Sequence, residues 1–168
     1  MLPVAVPASV TGMEIAGLPV HPLVVHAAVV LTPLAVLLVL AFAVWPKHRW
    51  ATRWPTAALT AAAFVVTWAA RLSGDSLAES KPGLEQLVHE HAEAGETFSV
   101  VVTVLAAVTA VAVWSLASTS ALASGAGAQE SRVPALEKVL PVVLVLAGIA
   151  VLVSAVIVGD SGARAVWG

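Results

Sequence analysis

The sequence predicts an all-α integral membrane protein, an up-down-up-down bundle of four transmembrane helices in one domain spanning residues 1–168. Three observations predict it. The chain is 60% hydrophobic and only 11% charged, whereas a water-soluble domain carries about a quarter charged residues. Four apolar stretches are each long enough to cross a hydrocarbon core about 30 Å thick. Short charged or turn-rich segments separate them, so consecutive spans should run antiparallel.

Residues 1–20 are broken by Pro3, Pro7, Gly12, Gly17 and Pro19 and read as an irregular arm. They contain no lysine or arginine, and a secretory signal needs a basic start, so no cleaved signal is expected. His21-Pro22 opens the first helix, expected over 21–46, because proline is well tolerated at the first helical position. The second, expected over 50–72, enters through Arg53 and Pro55 and is expected to stop at Ser73-Gly74-Asp75. The third is expected over 82–120. The fourth, over 135–160, is expected to stop at Gly159-Asp160-Ser161-Gly162. The Ser/Ala/Gly-rich segment from Ser118 to Val133 reads as a flexible connection.

Lys47, Arg49, Arg53, Arg132 and Lys138 fall at one end of the bundle, and Arg71, Lys81 and Arg164 at the other. The excess of basic residues makes the first end cytoplasmic and places both termini outside. The expected setting is therefore a membrane that the chain crosses four times, with the His21 end on the outer side. Trp45, Trp50, Trp54 and Trp114 are expected at the inner interface, and Trp68 and Trp167 at the outer one.

Composition also excludes chemistry. There is no cysteine, so thiolate metal sites, covalent c-type haem attachment and disulfides are out. There is no tyrosine to act as a radical or a phenolic acid. Ser161 lacks the Gly-x-Ser-x-Gly setting of a reactive serine. A net charge of −2 gives no sign of a nucleic-acid partner. An electron carrier or a subunit fits this chain better than a stand-alone enzyme.

Folding the four spans collects His21, His26, His89 and His91 at the outer end, with Arg71, Asp75, Asp160 and Arg164. At about 100° per residue, His91 shares a stripe with Leu84, Leu87 and Val88, while His89 falls with Glu85 and Glu93. His91 is thus expected inside the bundle and His89 on the wet side. His26 lies a turn inside Pro22 among Val24, Val25, Ala27 and Val29 and is expected inside as well. His21 is about 140° from His26 around the helix and is the alternative if the helix begins deeper. A buried neutral imidazole needs a hydrogen bond or a metal. Gly95, one turn from His91, leaves space, as do Gly159 and Gly162. Arg71 and Arg164 are suited to meet carboxylates of a prosthetic group or to reach for headgroups.

The segments from Gly17 to His26, His91-Ala92, and Gly159-Asp160-Ser161-Gly162-Ala163-Arg164-Ala165-Val166-Trp167 resemble a bacterial four-helix membrane family catalogued as domain of unknown function 2231. The resemblance covers the chain from about residue 13. Members of that family resemble small membrane cytochromes of the b type, and some are fused to or encoded near Rieske or cytochrome c domains. This implies redox work and partners of those two kinds. Many members carry histidine where Asp160 stands, and proline where Ala28 stands.

Three functional readings follow. The first is an electron carrier holding haem b near the outer face between His26 and His91, with His21 as the alternative, Gly95 giving room, and Arg71 or Arg164 at the propionates. The second is a copper, iron or zinc site drawn from His21, His26, His91 and Asp160, with His89 beside them. The third is a cofactor-free accessory subunit of a respiratory membrane complex. Its docking face, or that of a homo-oligomer, would be the small-residue stripe of Gly148, Ala155, Gly159 and Gly162.

Overall fold

The computed structural model describes residues 14–15, 18–79 and 84–167. Residues 1–13, 16–17, 80–83 and 168, most of the arm among them, lie outside the described residues. A short antiparallel pairing joins β1 (Glu14–Ile15) to β2 (Leu18–Pro19). Then come α1 (Val20–Val44), a 3₁₀ turn over Pro46–His48, α2 (Arg49–Glu79), α3 (Leu84–Ser115) and α4 (Leu136–Trp167). All four helices are long and apolar enough to span a membrane. They pack in a ring, α1 on α2, α2 on α3, α3 on α4 and α4 back on α1.

Lipid as the outer solvent inverts the pattern of a soluble bundle. Large apolar residues such as Val29, Leu37, Val65, Leu146 and Val156 face outward. They lose nothing there, because lipid tails are as apolar as a core. What faces inward on α2, after two arginines in its first turns, is small or hydroxylated. Arg49, Arg53, Thr56, Thr60, Ala63 and Thr67 are buried, and Ala70 and Gly74 continue the same seam. The steps of four and three repeat like those of a coiled-coil seam. The apolar core proper runs through Val36, Val39, Phe42, Val102, Leu105, Leu116, Leu144 and Val151. Gly148 lets α1 and α4 close on each other at mid-depth, since a Cβ there would stand 3.3 Å from Val36 Cγ1.

Two helices run further than expected. α2 passes through Ser73-Gly74-Asp75 to Glu79, and α4 passes through Gly159 and Gly162 to Trp167. These glycines are not helix stops, because helical backbone continues on both sides of them. Two of them serve side-chain packing, described below. α3 ends earlier than expected, at Ser115, and the carbonyls of Leu116 and Ala117 just beyond it meet arginines from α2.

That meeting organises the end opposite the histidines. Arg49 Nε donates to Phe42 O at 3.1 Å, and its Nη1 donates to Ala117 O at 3.3 Å and Glu137 Oε2 at 3.2 Å. Arg53 donates to Gln129 Oε1 at 2.7 Å, Ser118 Oγ at 2.9 Å and Leu116 O at 3.3 Å. Glu137 Oε1 accepts the Ala117 backbone N–H at 2.6 Å. Both guanidinium groups are buried, with Arg49 only 3% exposed. They supply donors to the carbonyls that a helix C-terminus leaves unpaired. The segment from Ser118 to Val133 is therefore tied down rather than flexible. Ser118 pairs with Gln129, and Gly127 (φ +82°) sits where a Cβ would be 2.8 Å from Trp50 O. No side chain fits that position, and the positive φ suits glycine.

Candidate functional site

At the other end, two histidines are held in the same way by different pairs of helices. His21, in the first turn of α1, turns toward α2. Its Nδ1–H donates to Ala70 O at 2.9 Å and to Ser73 Oγ at 3.2 Å. His91, in the second turn of α3, turns toward α4. Its Nδ1–H donates to Val158 O at 3.1 Å and to Ser161 Oγ at 3.3 Å. In both cases the serine hydroxyl also donates to that carbonyl, at 3.0 Å. In both cases the next residue is a glycine packed against the ring. A Cβ on Gly74 would stand 3.0 Å from His21 Cε1, and one on Gly162 would stand 3.0 Å from His91 Cε1. The halves α1–α2 and α3–α4 thus repeat one device, in which a histidine on one helix meets carbonyl, serine and glycine at i, i+3 and i+4 on the next.

The hydrogen bonds fix the tautomer. A carbonyl oxygen can only accept, so Nδ1 carries the proton, and in the neutral ring Nε2 keeps its lone pair. Both rings line one cavity of about 570 Å³, within the range of small-molecule sites. Its wall is almost wholly apolar, with Val25 and Ala28 from α1, Phe98 from α3 and Ala155 from α4. Its exposed lining residues include Val29 on α1 and Val156 on α4, so its open side is the seam between those helices. Gly95 and Gly159 also line it, and a Cβ on either would meet nothing within 4 Å. Arg71 borders it, stacked over Trp68 at 5.8 Å and paired with Asp75 at 3.8 Å and Glu96 at 3.5 Å. Trp68 donates its indole N–H to Thr103 Oγ1 on α3 at 3.0 Å.

His26 is not where the sequence argument puts it. It is exposed, and its Nδ1–H donates to Pro22 O of its own helix at 2.6 Å. The inward stripe of α1 is His21, Val25, Ala28 and Thr32, at steps of four, three and four, and His26 falls off it. Apolar neighbours implied burial by the logic of a soluble protein, but in lipid they mark the outer face. His89 is exposed and pairs with Glu93 at 3.3 Å. Asp160 is exposed and forms an ion pair with Arg164, which turns both away from the cavity. The donor set expected for a copper, iron or zinc site is therefore not assembled. Among the described residues no group of three or more His, Asp or Glu side chains is placed to hold an ion.

A family model described as "Predicted membrane protein (DUF2231)" matches residues 17–168. The chain belongs to this family. No curated protein and no solved structure matches it. The match begins at Gly17, just before His21, and takes in both histidine cradles and the arginine clamp at the opposite end.

Sequence reasoning missed Ser73, Gly74 and Ser161 as partners of the histidines. The signal was present as Ser-Gly following Ala70 or Val158 by the same interval, at the ends of spans two and four. It was read as a pair of stop signals.

Proposed function

We propose that this DUF2231 protein binds haem b between His21 and His91 and carries electrons near the histidine end of the bundle. The observation that carries the reading is the pair of imidazoles, each with Nδ1–H held by a backbone carbonyl, lining one apolar cavity. Bis-imidazole ligation needs two such nitrogens from different elements, and a helix-bundle core is where such groups sit. The cavity fits the group in two further ways. Gly95 and Gly159 leave its wall open where any side chain would protrude, and Arg71 stands at its border, where a propionate would take the place of Asp75 or Glu96 as its partner.

The bound group supplies one-electron oxidation and reduction of iron. The chain's own residues do the rest. Ala70 O and Val158 O orient the two rings and keep their tautomers. Val25, Ala28, Phe98 and Ala155 keep water from the cavity wall. The seam between α1 and α4 admits a flat apolar ligand from the lipid side. By the basic-residue rule the histidine end faces outward, toward a Rieske or cytochrome c partner in a bacterial plasma membrane, with both termini on that side.

The test is the absorption spectrum of protein purified in detergent, oxidised and then reduced with dithionite. A Soret band with sharp reduced α and β bands is expected at one haem per chain. His21→Ala and His91→Ala should each abolish the low-spin spectrum. Colourless protein that takes up no added iron protoporphyrin IX would end the reading.

A further inference from the structure

The pseudo-two-fold repeat makes Ser73 and Ser161 equivalent, and neither is free to do anything else. Each is buried, at 5% and 6% exposure, and its hydroxyl hydrogen is committed to the carbonyl of the residue three before it. What remains is an oxygen lone pair, and in both halves it lies within 3.3 Å of the histidine Nδ1. The N–H is therefore forked between two acceptors. A helical serine commonly bonds back to its own helix and ends its role there. Here that back-bond aims the oxygen at a ring on another helix, and the adjacent glycine gives up its side chain so that the ring can come that close.

We propose that Ser73 and Ser161 are positioning residues that set the electron-donating strength and the rotational angle of His21 and His91. This rests on the haem reading for its redox consequence but not for its structural one. Acceptors on the far nitrogen raise the basicity of a metal-binding imidazole and fix its orientation. Two acceptors on each ring favour the oxidised, more positive metal and hold the midpoint potential down. Because the halves repeat, the two serines should contribute about equally.

The experiment has two arms. In the first, protein loaded with iron protoporphyrin IX is titrated spectroelectrochemically and examined by EPR. Ser73→Ala and Ser161→Ala should each raise the midpoint potential and broaden the low-spin signal, the double variant should shift by about the sum, and Ser73→Thr should restore the wild-type value. Unchanged potential and EPR in both alanine variants would overturn the proposal. So would loss of haem from the alanine and threonine variants alike. Haem loss in Ser73→Ala alone, recovered in Ser73→Thr, supports it. The second arm needs no cofactor. In apoprotein with ¹⁵N-labelled histidine, NMR should show both rings as the Nδ1–H tautomer held by Ala70 O and Val158 O, with the Nδ1–H proton resonance moving upfield in the alanine variants as the second acceptor is lost. If wild-type protein takes up no haem, this arm still decides the positioning role, and an unchanged Nδ1–H resonance in both variants would overturn it.

Discussion

Four glycines border the same end of this bundle, and an added methyl group should act with opposite sign at two pairs of them. In a helix interior, Gly→Ala gains about 0.5–1 kcal/mol from backbone entropy. At Gly95 and Gly159 a Cβ meets nothing within 4 Å, so that gain should appear undiminished. At Gly162 the Cβ would sit 3.0 Å from His91 Cε1 and 3.1 Å from Nδ1. Relief to ordinary contact needs a shift of the ring by a few tenths of an ångström. The bond from Nδ1 to Val158 O is already 3.1 Å and that to Ser161 Oγ 3.3 Å, so a push away from α4 breaks the fork. A half-buried donor left without its partner costs about 1–3 kcal/mol, which exceeds the helical gain. Gly162→Ala, and by the same geometry Gly74→Ala, should therefore destabilise the apoprotein by about 1 kcal/mol. Gly95→Ala and Gly159→Ala should stabilise it by up to about 1 kcal/mol while filling the cavity and lowering haem uptake. Reversible denaturation in detergent micelles, paired with haem titration, reads both effects. Gly74→Ala and Gly162→Ala proving as stabilising as Gly95→Ala would refute the packing of the rings on the glycines.

His26→Ala should leave haem stoichiometry and stability unchanged, because His26 bonds only within its own helix. A loss of the Soret band in that variant would show the wrong histidine has been assigned. Arg49→Ala leaves Glu137 without its cation and three carbonyl or carboxylate contacts without donors. It should cost about 3 kcal/mol in denaturant unfolding, well above the change for the exposed Arg164→Ala. For orientation, cysteines at Glu79 and Ser124 should label oppositely from outside intact cells, Glu79 being accessible. Labelling of Ser124 alone would invert the assignment.

How much of this was legible in the sequence depends on which solvent logic applied. Span number, alternation and the gathering of histidines at one end follow from length and hydropathy, which lipid enforces through its thickness. The phase of α3 was also legible, because Glu85 and Glu93 set a polar stripe with His89 apart from the apolar stripe of Leu84, Leu87 and Val88. The phase of α1 was not, because no charge marks any side of it between Val20 and Val44. The usable signal there was size. Ala28, Thr32 and Ala35 are small and inward, while Val29, Val30 and Leu37 are large and outward. Read that way, the stripe leads back to His21 and not to His26. Arg49 and Arg53 were legible as topology markers but not as a clamp, because the carbonyls they bind after α3 lie 68 and 63 residues away in the chain, respectively.

The two histidine cradles also bear on how the chain is built into a membrane. Each imidazole finds its partners within its own helical hairpin, His21 on α2 and His91 on α4. The first hairpin can leave the insertion machinery with its histidine already shielded from lipid, long before α3 is translated. The exposed imidazole of α1, His26, has its Nδ1–H met by Pro22 O of its own helix. The second hairpin repeats the step independently. Joining the two then adds the arginine clamp at the far end and the Trp68–Thr103 and Arg71–Glu96 contacts between α2 and α3, none of which can form before α3 has arrived. Biogenesis would thus proceed as two self-sufficient insertions followed by one docking event.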